Sequence, residues 1–125
     1  MNTNELSLCN NHKLIVTIVR KGKASSIVDF TKKHSAKGGT ILLGKGTADK
    51  KKFLKLFSVE YDPAKEIILT LVEDEKADYI LDTIIEKGQL NKPGKGIAFV
   101  INVKNVCGIF HLLKLGEMLD YKEEN

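Results

Sequence analysis

The hydrophobic positions of the chain follow two periods, one typical of strands and one typical of helices. Continuous apolar runs rich in β-branched residues predict four strands, at residues 14–19, 40–43, 67–72 and 97–103. After the first and the third of these strands, apolar residues recur every three or four positions, which predicts two amphipathic helices. Their predicted apolar faces are Ala24, Ile27, Val28 and Thr31 in the first helix and Ala77, Ile80, Leu81, Ile84 and Ile85 in the second. Residues 106–110 predict a short fifth strand. Right-handed crossovers in the order β-α-β-β-α-β give an α+β, ferredoxin-like fold, in which both helices cover one face of a four-stranded antiparallel sheet.

An internal repeat supports this order. Residues 67–87 align with residues 14–34 at a constant offset without gaps, and Thr17 matches Thr70 in the alignment. Each copy begins as a strand and ends as a helix. The connections, where the copies differ, are therefore the places to look for function.

The predicted strands are apolar on both faces. The first strand shows the pattern that the third and fourth share, with one face formed by Leu14, Val16 and Ile18 and the other by Ile15 and Val19. A sheet covered on one face only should alternate apolar and polar residues. Because the two helices can cover a single face, the second apolar face predicts self-association with other copies of the chain.

Length and composition indicate one soluble globular domain. The chain has 125 residues, of which 42% are hydrophobic and 29% are charged, as in ordinary globular proteins. We expect a flexible leader over residues 1–12, a domain over residues 13–110 and a C-terminal tail over residues 111–125. Two cysteines are too few for a disulfide framework, which favours a cytoplasmic location, and they form no metal-ligand pattern with histidine, so the sequence predicts no metal site.

The charge pattern and the scattered histidines argue against two functional classes. The net charge is +4, and its densest cluster follows the second strand, at Lys50, Lys51, Lys52 and Lys55. RNA binding on such a sheet requires strand aromatics that stack bases, and Phe99 is the one aromatic residue on the four predicted strands of the sheet, so we expect no nucleic-acid partner. No set of residues suggests catalysis, which favours a protein that is not an enzyme.

Two glycine-lysine loops are the best candidates for a binding site. Residues 44–47 leave the second strand, and residues 91–96 enter the fourth. Glycines allow backbone N–H groups to approach an anion and lysines supply charge, so the two loops together could hold phosphates. Each loop taken alone is better explained as a plain turn, since Pro93-Gly94 is a common type II pair. Their joint occurrence at strand ends, in a fold that is expected to self-associate, makes a binding site an equal alternative.

At this point the chain resembles the P-II nitrogen-regulatory and P-II-like signalling family over residues 13–110. The resemblance rests on the doubled β-α-β order and on the segments GGTILLGKGT at 38–47, DTIIEKGQLNKPGKGIAFVINV at 82–103 and NVCGIF at 105–110. It implies a homotrimer with an adenine nucleotide (ATP, ADP or AMP) as effector in the clefts between subunits, and no tightly bound cofactor. It also implies that the connection after the second strand is the T-loop, which contacts a regulated target. A membrane transporter is one candidate target, and docking on it would bring the protein to a membrane.

The resemblance assigns site residues position by position. The phosphate-contacting B-loop of the family falls on Gly94–Gly96, and the T-loop residues expected to contact a target are Lys52, Phe53, Leu56 and Phe57. The nucleotide-binding residues predicted in this way, together with the loops above, are Gly39, Thr40, Gly44, Lys45, Gly46, Thr47, Lys92, Pro93, Gly94, Lys95 and Gly96.

The sequence departs from the family at three basic positions. The lysine that follows the B-loop in the family is Ile97 here, and the two C-terminal arginines that grip ATP phosphates fall on Gly108 and Phe110. Lys92 and Lys95 would compensate in part as flexible point charges. We therefore expect a divergent member with an altered nucleotide preference. The alternative is a trimeric small-molecule or metal sensor that binds no nucleotide.

Overall fold

The computed structural model describes residues 8–9, 11–47 and 63–108. Lys13–Ile101 forms one compact unit, and the two ends of the chain, Met1–His12 and Asn102–Asn125, form another. The predicted target-contacting residues lie outside the described residues, as do Phe110 and the predicted tail.

Six strands and two helices make up the described chain. The strands are β1 (Leu8–Cys9), β2 (His12–Arg20), β3 (Thr40–Lys45), β4 (Ala64–Glu73), β5 (Gly96–Val103) and β6 (Val106–Cys107); the helices are α1 (Ala24–Lys33) and α2 (Ala77–Gly88), the latter preceded by a 3-10 turn at Asp74–Lys76. The main sheet has the order β3-β4-β2-β5. β3 and β4 are antiparallel, with Thr40 opposite Leu69 and Lys45 opposite Ala64. The predicted α+β, ferredoxin-like fold is confirmed.

The helix α1 forms where the apolar period predicts it. Its buried residues are Ala24, Ile27, Val28 and Thr31, the four positions of the predicted apolar face. No side chain of its own caps its first turn. Instead a carboxylate oxygen of Glu66, on β4, accepts hydrogen bonds from the backbone N–H groups of Gly22 (2.6 Å) and Ala24 (3.1 Å). A negative charge at this end of a helix is favourable because it faces the positive end of the helix dipole.

The second helix follows its period less closely. Ala77, Ile80 and Ile84 are buried as predicted, whereas Leu81 and Ile85 are half-buried and Thr83 is buried in addition. α2 includes Gly88, and the left-handed position that ends it is Gln89, with φ 54°.

The core lies between the helices and one face of the sheet. It contains Ile15, Val19, Ala24, Ile27, Val28, Ala36, Ile68, Val72, Ala77, Ile80 and Ile84, with Ala98 and Val100 packed against it. Residues that alternate with these along β4 and β5 point to the opposite side, which we call the open face. There Phe99 is 42% exposed and Ile97 is 56% exposed. The predicted second apolar face therefore exists, with Ile97 and Phe99 exposed on it, whereas Val16, on the same face of β2, is buried at 9% exposure.

In the second unit, β1 pairs antiparallel with β6. Leu8 lies opposite Cys107 and Cys9 lies opposite Val106. The segment expected to be a flexible leader thus contains a strand, because its backbone finds hydrogen-bond partners in the short strand near the other end of the chain. No helix in the described ranges is long and apolar enough to cross a membrane.

Candidate binding site

A cavity of about 340 Å³ lies where β2 ends, β5 begins and β3 leaves the sheet. We call it the inner cavity. The predicted site residues that line it are Gly46, Thr47, Gly94, Lys95 and Gly96. The fold therefore brings the ends of the two glycine-lysine loops to one place, although they are far apart in the sequence.

The B-loop segment of this site is a tight turn with a defined geometry. Pro93 precedes Gly94, whose φ is +79°, and the Lys95 N–H donates to the Lys92 carbonyl at 3.4 Å. Proline followed by a residue with positive φ is the pattern of a type II turn. The turn fixes the path of the backbone and presents Lys95 at the cavity.

Gly96 fixes the turn against the neighbouring strand. A Cβ atom on Gly96 would overlap the carbonyl oxygen of Ile18 and would lie 3.0 Å from the Cγ1 atom of Val19. Its φ of +142° also lies in the range that side chains disfavour. Only glycine therefore allows β5 to begin this close to β2 and to the cavity.

The base of the predicted T-loop is closed by a backbone hydrogen bond. The N–H of Gly46 donates to the carbonyl of Pro63 at 2.6 Å. The Lys21 N–H donates to the Ala64 carbonyl at 3.2 Å, which ties the returning chain to the end of β2. Residues 46 and 63 are thus held together at the rim of the sheet, whatever the path of residues 48–62.

Two cations of the cavity were missed by the sequence reasoning. Arg20 and Lys65 line the inner cavity together with Lys95, and no carboxylate among the described residues lines it. The Lys65 side chain runs over Gly46, since a Cβ atom there would lie 2.9 Å from the Lys65 Cε atom. A cavity whose charged lining residues are cations attracts anions.

A signal for these two cations was present in the strand alternation. Arg20 follows Ile18 on the open face of β2, and Lys65 precedes Ile67 on the same face of β4. The predicted strands began and ended at apolar residues. Because alternate residues share a face, extending them two residues beyond Ile18 and two residues before Ile67 would have placed Arg20 and Lys65 at the end of the open face.

Other predicted site residues lie away from the inner cavity of this chain. Gly39 and Thr40 are at the opposite end of β3 from Gly46, about 20 Å along the strand at roughly 3.3 Å per residue. A Cβ atom on Gly39 would lie 3.2 Å from the Ile68 Cγ2 atom, so this glycine permits close packing of β3 onto the core. Lys45, Lys92 and Pro93 are exposed, and with Gly44 they are not among the residues that line the cavity.

The described residues hold no group of three or more histidine, cysteine or acidic side chains that could bind a metal ion. The charged side chains that line the inner cavity are cations.

The antiparallel sheet with both helices packed on one face places the chain in the class of ferredoxin-like α+β proteins. A family model described as "Nitrogen regulatory protein P-II" matches residues 12–110, which is more than half of the chain. The chain belongs to the P-II family of signalling and regulatory proteins, as the sequence resemblance predicted.

Two individual similarities agree with this assignment. The chain is 30% identical over 100 residues to the "Nitrogen fixation nifHD1 region GlnB-like protein 1" of Methanosarcina barkeri, covering 78% of this chain and 92% of that protein. A solved structure described as "Arabidopsis thaliana PII bound to citrate" superposes with a TM-score of 0.57 and 21% identity, covering 77% of this chain and 78% of that one. The second similarity shows the fold alone.

Proposed function

We propose that this chain is a trimeric P-II-type regulator that binds an adenine nucleotide with its phosphates in the inner cavity. The observation that carries the proposal is that the fold gathers both glycine-lysine loops around three cations. Gly46 and Thr47 come from one loop and Gly94, Lys95 and Gly96 from the other. Phosphate binding in proteins commonly uses glycine-rich backbone together with lysine or arginine.

Self-association accounts for the apolar open face. Leu42 lies opposite Ile67 in the sheet and is 45% exposed, and Ile101 is also 45% exposed. Leu42 and Ile101 lie on β3 and β5, the two edge strands of the main sheet, and exposed apolar side chains favour burial against another molecule. In a closed trimer, further copies would cover this face, and the inner cavity at its end would become a cleft between subunits. Gly39 and Thr40 would then contribute to the cleft from a neighbouring copy.

The regulatory output would come from residues 48–62. The described residues next to this segment lie at the inner cavity: Thr47 and Lys65 line the cavity, and the Gly46 N–H donates to the Pro63 carbonyl. A nucleotide bound there would contact the base of this segment directly. We infer that occupancy of the cavity controls how residues 48–62 engage a target protein, with a membrane transporter as one candidate.

Titration calorimetry with ATP, ADP and AMP tests nucleotide binding. We expect the unaltered chain to bind at least one nucleotide. The Lys65→Gln variant should bind that nucleotide with an affinity about tenfold or more lower, since a hydrogen bond to a charged group contributes about 1.5–3 kcal/mol. Lys33→Gln is the matched control, because Lys33 is an exposed lysine of α1 that does not line the cavity. It should bind within about twofold of the unaltered chain, as expected for a solvated surface lysine.

Three results would contradict the proposal. The absence of heat with all three nucleotides would remove nucleotide binding. Because the Arabidopsis protein was solved with citrate, citrate is included among the titrated ligands. If the chain binds citrate but none of the three nucleotides, the cavity is assigned to small carboxylates. A monomeric mass in light scattering would remove the trimer.

A further inference from the structure

A second cavity, of about 360 Å³, lies between the start of α1, the end of α2 and the turn at residues 92–95. We call it the outer cavity. Its cations are Arg20, Lys23, Lys87 and Lys95, and no described carboxylate lines it. A concave surface whose charged lining residues are cations attracts anions.

The backbone that carries Lys23 is held on both sides. The neighbouring residues Gly22 and Ala24 donate their N–H groups to the same carboxylate oxygen of Glu66, at 2.6 and 3.1 Å. The Lys23 N–H donates to the Arg20 carbonyl at 3.1 Å. Lys23 therefore lies on a turn whose backbone is already held by hydrogen bonds. Binding of a ligand to Lys23 would cost little conformational entropy of that backbone.

The wall formed by the end of α2 is similarly fixed. The Gln89 N–H donates to the Glu86 carbonyl at 3.3 Å, and the Leu90 N–H donates to the Ile85 carbonyl at 3.0 Å. The Lys87 ammonium lies 5.4 Å from the centre of the Phe30 ring. Contact with a ring face orients a cation while leaving its other side accessible.

We propose that the outer cavity is a second anion site, which binds a small oxyanion with two or more negative charges, of the pyrophosphate class. A volume of about 360 Å³ falls within the roughly 300–1,000 Å³ of small-ligand pockets. Lys23 and Lys87 belong to the helix layer, so assembly through the open face leaves this site accessible. The outer cavity is distinct from the inner cavity. Lys23 and Lys87 line the outer cavity and not the inner one, whereas Lys65 lines the inner cavity and not the outer one.

Calorimetric titration of inorganic pyrophosphate into the full chain tests the proposal. The double variant Lys23→Gln with Lys87→Gln should weaken binding at the outer cavity by about tenfold or more, since each lysine makes a charge-assisted contact. The control variant Lys33→Gln with Lys37→Gln removes the same net charge from exposed lysines that line neither cavity. It should bind pyrophosphate within about twofold of the unaltered chain, because exposed charges act weakly at a distance in salt. Circular dichroism confirms that each variant is folded.

The variant Lys65→Gln separates this site from the nucleotide site. It should leave pyrophosphate binding at the outer cavity within about twofold, because Lys65 lines the inner cavity. The proposal is overturned if the unaltered chain binds no pyrophosphate, if the control weakens binding as much as the outer-cavity variant, or if only Lys65→Gln removes binding. Failure of nucleotide binding would leave these results unaffected, because the readout uses pyrophosphate alone.

Discussion

Replacement of Gly96 by alanine tests whether the close approach of β5 to β2 builds the inner cavity. The new Cβ would meet main-chain atoms of Ile18, which cannot move without shifting the strand, and the φ of +142° is unfavourable for alanine. The backbone conformation costs about 1–3 kcal/mol, and the overlap adds about 1–3 kcal/mol as in other overpacked sites. Gly96→Ala should therefore lower the free energy of unfolding by about 2–6 kcal/mol.

Gly22→Ala is the matched control for this experiment. Gly22 has a φ of +95°, but a Cβ atom there would meet nothing within 4 Å. Gly22→Ala should lower the free energy of unfolding by about 1–3 kcal/mol, which is the cost of the backbone conformation alone. Urea unfolding measures both variants, and calorimetry should show weaker nucleotide binding in Gly96→Ala alone, because Gly22 lines neither cavity. Equal losses of stability in the two variants would refute the argument that backbone overlap matters at Gly96.

Two further predictions concern single side chains. Ile97 lines the inner cavity where the family carries a lysine, so Ile97→Lys should tighten nucleotide binding by about tenfold in calorimetry; unchanged affinity would place the phosphates elsewhere. The buried hydroxyl of Thr17 has no hydrogen-bond partner among the described residues, whereas that of Thr31 donates to the Val28 carbonyl at 2.9 Å. Thr17→Val should therefore raise the free energy of unfolding by about 1 kcal/mol and Thr31→Val should not, and a loss of stability in Thr17→Val would show that its hydroxyl is satisfied in solution.

The strands were predicted from continuous apolar runs, which arise because both faces of the sheet are apolar, and Ile15, Val19 and Ile68 lie within those runs. The helices were predicted from the period that burial on one side imposes. The buried stripe of α1 followed for the same reason. The β1–β6 pair could not be predicted in this way, because two residues are too few to show a period.

The site was predicted in part because its glycines mark turns that can be recognised locally. The type II turn at Pro93-Gly94 and the positive φ of Gly96 follow from residue type and position. Arg20 and Lys65 carry no such local mark, since a charged residue at a strand end usually faces solvent. Their convergence with Lys95 depends on the order of strands in the sheet, which brings the end of β2 beside the start of β4 and of β5.

Arg20 and Lys95 form part of the wall of both cavities. If both cavities bind anions as proposed, these shared residues would determine whether binding at one cavity strengthens or weakens binding at the other. Two anions bound at once would draw on the same pair of positive charges and would also repel each other, so each would weaken the other. Thermodynamic linkage makes the two effects equal in size. A chain built in this way could compare the concentrations of two anionic metabolites at one shared pair of side chains, with no movement of its backbone.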